Sequence, residues 1–97
     1  MKRGDFKICV WGRHGEIRQE SVPGYGFNYK GIELFAHKFD GDKWRVSEAR
    51  TGLAVTPVCQ TRKHAIEEAI SRIEKKGIEK TKQIIEEQIE FLKERVK

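Results

Sequence analysis

Apolar and polar positions alternate through the first sixty residues and then change period. Phe6, Ile8 and Val10 alternate with Lys7, Cys9 and Trp11, a period of two that predicts a first strand. Gly12-Arg13-His14-Gly15 supplies a turn, and Glu16 to Val22 returns as a polar edge strand whose only firm apolar positions are Ile17 and Val22. Pro23-Gly24-Tyr25-Gly26 breaks the pattern, because glycine favours turns and proline lacks a ladder donor. Phe27, Tyr29 and Gly31 follow, and Ile32 to Phe39 forms the third strand. Ile32, Leu34 and Ala36 share one face of it, and Phe35, His37 and Phe39 the other. Two apolar faces call for a central strand covered on both sides, by this chain or by a partner. Asp40-Gly41-Asp42 marks a hairpin before Trp44, Thr51-Gly52 the next turn, and Leu53 to Cys59 the next strand, with Pro57 late in it.

Past Cys59 the period becomes helical. Thr61 is placed to cap a helix start, and Ala65, Ile66, Ala69, Ile70 and Ile73 form one stripe that packs on the sheet. Gly77 interrupts, and Ile78, Ile85, Ile89, Leu92 and Val96 form a second stripe, widened by Ile84 and Phe91. The five-residue step from Ile73 to Ile78 turns the second stripe by about 140° from the first. Gly77 therefore ends one helix or kinks a longer one, and two helices, over about 61–76 and 78–96, are the reading adopted. Glu86–Glu90 and Glu90–Glu94 are repulsive at i,i+4, so the last helix needs a surface to lie on, its own sheet or a second copy. The predicted fold is α+β in a single domain, residues 1–97. An antiparallel meander of three to five strands within residues 5–59 is packed by one helix and followed by a second, C-terminal helix.

Composition narrows the function classes. The chain has 97 residues, 20 Lys+Arg against 15 Asp+Glu, and a net charge of +5. The excess is spread through folded segments, which fits an acidic partner such as nucleic acid. Two cysteines without a C-x-x-C pair, no apolar segment behind Met1 and no apolar run of spanning length predict a cytoplasmic protein with reduced thiols and no membrane partner.

No catalytic motif is present. His14, His37, His64, Cys9 and Cys59 are the only soft ligands, and none has zinc-ligand spacing. Cys59 and His64 flank a strand-to-helix junction but bring no orienting acid or oxyanion donors. The glycine-rich PGYGFNYKG stretch lacks the GK[ST] ending of a phosphate loop. Its Tyr25, Phe27 and Tyr29, beside Lys30, either cap the core or stack on bases. The expectation is a non-enzymatic chain with no metal and no cofactor.

Thr61-Arg62-Lys63-His64 is the most informative oddity, because cations are disfavoured in the first turn of a helix. Either the long side chains bend into solvent or the free amides and two cations hold an anion such as phosphate. Lys38, Lys43, Arg45 and Arg50 add positive charge along the meander, with Ser47 and Thr56 between them, and Arg13 and Arg18 join if the first hairpin lies alongside.

The stretch from Trp44 to Ile70, about a third of the chain, resembles DNA-binding modules built from a three-stranded sheet and one helix. These are the N-terminal arm-binding domains of phage-type tyrosine integrases and, more remotely, the plant ethylene-response-factor type. The shared elements are Trp44 opening a strand, Arg50-Thr51-Gly52 at the turn, and the helix start Thr61, Arg62, Lys63, Ala65, Glu68 and Ala69. In those families the exposed sheet face enters the major groove, which implies a DNA role for Arg45, Ser47, Arg50 and Thr56. The chain departs from that pattern in its extra N-terminal hairpin, its second helix and the lack of a recombinase domain, so the resemblance implies at most a stand-alone relative, as small phage or mobile-element proteins can be. The leading expectation is a DNA-binding accessory protein using Lys43, Arg45, Ser47, Arg50, Thr56, Arg62 and Lys63. Its competitor is a protein-interaction module, a homodimer or an inhibitor of a host protein, working through Phe35, Phe39, Ile85, Ile89 and Leu92.

Overall fold

The structure, a computed structural model, describes residues 1–95. Four strands run in sequence, β1 (Lys2–Trp11), β2 (Ile17–Tyr29), β3 (Ile32–Lys38) and β4 (Trp44–Glu48), before helices α1 (Arg62–Lys76) and α2 (Ile78–Arg95). All pairings are antiparallel and the spatial order is β1-β2-β3-β4. The α+β meander with two following helices is the predicted architecture, and its first strand starts three residues earlier than expected. Val96, assigned to the second helical stripe, lies outside the described residues.

Three local expectations are corrected. The segment Pro23-Gly24-Tyr25-Gly26 is not a break: β2 runs through it, pairing Pro23 with Asp5 and Gly24 with both Gly4 and His37. Consequently β2 is an inner strand, and β1 takes the edge. The glycines are there for space, since a Cβ on Gly24 would stand 2.9 Å from the Ala36 carbonyl oxygen and one on Gly26 2.9 Å from the Phe6 ring. The reversal lies instead at Lys30-Gly31, whose φ angles of 50° and 88° suit a two-residue hairpin turn between the paired Tyr29 and Ile32. The third correction concerns Leu53 to Cys59, which is not a strand and meets β4 through the isolated bridges Trp44–Cys59 and Ser47–Ala54 and scattered hydrogen bonds rather than a continuous ladder. Its Thr56 hydroxyl accepts the Val46 N–H at 3.0 Å. A side chain thus takes a donor that a ladder would need, and Pro57 follows without an N–H.

β3 is the central strand that its two apolar faces predicted. On one side Ile32, Leu34 and Ala36, with Val46 and Cys59, pack against Ala65, Ala69 and Ile73 of α1. On the other, β1 curls over the sheet and lays Phe6 parallel on Phe35, with ring centroids 4.5 Å apart. The Cys9 amide donates to the Gly52 carbonyl at 3.1 Å and its thiol to the Thr51 carbonyl at 3.0 Å. The first strand thereby reaches the loop that follows the last. Gly52 has φ 74°, and a Cβ there would stand 2.6 Å from the Lys7 carbonyl oxygen. The same loop satisfies the buried Glu48 carboxylate, which accepts the amides of Arg50 and Thr51 at 2.8 Å each.

Thr61 caps α1 as expected, its hydroxyl accepting the His64 amide at 3.0 Å. Gly77, with φ 99°, ends that helix and donates to the Ile73 carbonyl at 2.8 Å. Two helices joined at one residue settle the alternative left by the periodicity. α2 lies on its own molecule, with Ile78 and Ile85 against the core, Leu92 buried, and Glu86 bound to Arg50 at 2.7 Å.

Candidate nucleic-acid interface

The end of the sheet where β3 passes into β4 gathers cations on aromatic rings. Trp44 opens β4 opposite Lys38, the last residue of β3. Tyr25 lies two strands away on the same face, its centroid 6.2 Å from that of Trp44. The cap at Thr61 starts α1 directly over these rings. Arg62, the first helical residue, places its guanidinium 4.4 Å from the Tyr25 centroid and 5.8 Å from that of Trp44. The Lys38 ammonium stands 5.9 Å from the Trp44 ring. On the opposite face Arg45 covers Phe39 at 4.0 Å.

These contacts hold the cations without neutralising them. Among the described residues Arg62, Lys63, Lys43 and Arg45 make no ion pair, and the Lys38–Asp42 contact spans 4.0 Å between two exposed side chains. Stacking occupies the face of a guanidinium and leaves its N–H edge for an acceptor. The first turn of α1 carries no acidic residue, so its free amides add to the positive field. Arg3, the exposed cross-strand partner of Tyr25, borders the same end. The Arg45 Nε is the one buried side-chain nitrogen or oxygen without a hydrogen-bond partner among the described residues.

The expected site is thus brought together only in part. Arg62, Lys63, Lys43 and Arg45 lie at this end, with Lys43 and Lys63 exposed. Ser47 and Thr56 do not reach an open face. Ser47 is 1% exposed and hydrogen-bonded to the His37 Nε2 at 2.9 Å, while Thr56 is 3% exposed and bonded to the Val46 amide. For Ser47 the physical reason is the roof formed by β1, whose Phe6 lies on Phe35, the cross-strand partner of Ser47; Thr56 instead turns its hydroxyl inward to the β4 backbone. Arg50 is tied to Glu86 of α2. Of the residues assigned to a protein interface, Phe35 is fully buried under Phe6, and Ile85 and Leu92 serve the molecule's own packing. Ile89 is half-buried, and Phe39 is exposed at its edge beneath Arg45.

Sequence reasoning singled out Arg62 and Tyr25 separately and missed that one stacks on the other. Residues so far apart in the chain meet only through the strand register, which no local period encodes. Lys38 on Trp44 was recoverable, because a hairpin closing at Asp40-Gly41-Asp42 sets those two residues opposite each other.

His37 and Cys59 have partners within the molecule. His37 is 1% exposed, and its Nδ1 lies 3.1 Å from the Lys38 carbonyl oxygen. That geometry places the proton on Nδ1 and leaves Nε2 to accept from Ser47. Burial lowers the His37 pKa, the Lys38 hydrogen bond opposes that shift, and the Arg45 charge adds to it. The Cys59 thiol is directed at the Pro57 carbonyl rather than at the exposed His64. Among the described residues no three His, Cys, Asp or Glu side chains are placed to hold a metal ion. No described helix is long and apolar enough to cross a membrane. Comparison with known proteins supplies no relative to reason from: no family model, no curated protein and no solved structure matches the chain.

Proposed function

We propose that this chain is a non-enzymatic DNA-binding accessory protein that grips the phosphate backbone with the basic and aromatic end of its sheet. The observation that carries the reading is Arg62, over the Tyr25 ring and within cation–π reach of Trp44, at a helix start whose first turn has no acidic residue and without an ion pair among the described residues. A planar cation held this way is pre-organised to take a phosphate oxygen, with free helix amides behind it. The mode differs from groove reading by an open sheet. With Ser47 and Thr56 buried, two of the residues that groove reading would send to base edges are withdrawn, so contacts go chiefly to the backbone and binding tolerates sequence.

Fluorescence anisotropy with a labelled duplex over 50–200 mM NaCl tests this reading. Three phosphate contacts lower the affinity about 40-fold across that range. The quadruple change Lys43→Glu, Arg45→Glu, Arg62→Glu and Lys63→Glu abolishes binding while the chain stays folded by circular dichroism. A salt-independent affinity, or one untouched by the quadruple change, overturns the reading.

A further inference from the structure

At the opposite end of α1 the two helices diverge over a cleft of about 730 Å³. Its floor is Ile32, Leu34 and Val55, and its walls are Ile73 from α1 with Ile84 and Ile85 from α2. That volume lies within the usual span of small-molecule sites, about 300–1,000 Å³. The lining narrows the ligand's chemistry in three ways. It is aliphatic, with no aromatic ring among the described lining residues, so it offers nothing for a planar ring to stack on.

Its polar groups are mostly committed. The Thr81 hydroxyl donates to the Gly77 carbonyl at 2.8 Å, and the Glu48 carboxylate already accepts two backbone amides. The groups left at the rim are the neutral amide of Gln88 and three cations. Arg72, Lys75 and Lys76 line one side; Arg72 is paired with Glu68 at 2.9 Å, and the two lysines make no ion pair among the described residues.

From this juxtaposition we infer that the cleft between α1 and α2 binds a single-chain anionic amphiphile. Its alkyl chain lies along the isoleucine walls and its head group meets Lys75 and Lys76. A flexible chain suits branched aliphatic walls, and one anionic group matches what the rim offers. The site is independent of the DNA reading: it uses the other end of α1 and shares no residue with the basic, aromatic end of the sheet.

Free carboxylic acids and lysophospholipids share this chemistry, so the test carries both. Calorimetric titration of the full chain uses dodecanoate, a lysophosphatidic acid and dodecyltrimethylammonium, each below its micellar concentration. The expected result is saturable one-site binding of an anionic amphiphile and none of the cationic one, with amide shifts in heteronuclear NMR centred on residues 73–88. Preference between the two anions names the source. Lys75→Glu with Lys76→Glu weakens the anion by about tenfold, a charge reversal at two exposed positions. Ile84→Glu, which puts a carboxylate in the wall, removes binding. If that variant fails to fold, Gln88→Glu replaces it, with the same loss expected. Equal binding of both charge types, non-saturating heats, shifts centred away from the cleft, or an affinity indifferent to the lysine pair overturns the inference.

Discussion

Arg62 shows what a single side chain does when a helix begins over a sheet. A cation in a first turn opposes the helix dipole by about 0.3–1 kcal/mol, and the faces of Tyr25 and Trp44 offset that cost. Arg62→Ala should therefore weaken DNA binding and reduce the slope of log K against log salt by about one, the loss of a single phosphate contact. Arg62→Lys should recover the slope but not the full affinity, since an ammonium cannot lie flat on the rings; the same anisotropy series separates the two.

His37 gives a prediction of a different kind. Its folded-state pKa is lowered, first by burial, so below about pH 6.5 the unfolded chain binds a proton that the folded one refuses. Its contribution to stability is whole above that pH and is lost as pH falls towards the folded value. Thermal melting between pH 7.5 and 5.5 should record the decline, and His37→Gln should flatten it.

Among the elements, β2 and the segment after β4 mark where local pattern stops being informative. The hairpin at Asp40-Gly41-Asp42, the two faces of β3, the Thr61 cap and the Gly77 break were all legible, because each rests on residues within a few positions of one another. Gly24 and Gly26 were not. Glycine signals both a turn and a close approach, and what approaches here is Phe6 from another strand. The two glycines differ in consequence. A Cβ on Gly26 meets the edge of a side-chain ring, whereas one on Gly24 meets the Ala36 carbonyl oxygen, which is held in the sheet. Gly24→Ala should lower unfolding free energy by about 1–3 kcal/mol and Gly26→Ala by less, read from urea denaturation midpoints. Leu53 to Cys59 failed as a strand for a comparable reason. The Thr56 hydroxyl competes for the Val46 amide, and a sequence does not say which donor a hydroxyl will find.

At the scale of the molecule, the roof decides which surfaces remain for function. Positive charge, the aromatics and the helix-start cations could all be read from the sequence, and the basic residues of the candidate site with them. The closing of β1 over Phe35 could not, because it depends on strand curvature that residue types do not specify. It removed Ser47 and Phe35 from any partner and left the end of the sheet. Phe6→Ala should test how much the roof holds. Removing a ring stacked at 4.5 Å on Phe35 should cost about 3 kcal/mol, measured by denaturant unfolding, and the exposed ring beneath should bind a hydrophobic dye.

The Cys9 contacts with Thr51 and Gly52 make a clasp between the two ends of the curled sheet, and one half of that clasp is a thiol. The thiol is half-buried and burial raises its pKa, so at neutral pH it alkylates slowly while the clasp holds and faster when it lets go. The labelling rate of Cys9 is thus a clock for breathing of the native protein. Replacing Gly52 with alanine, which crowds the Lys7 backbone, should make that clock run faster.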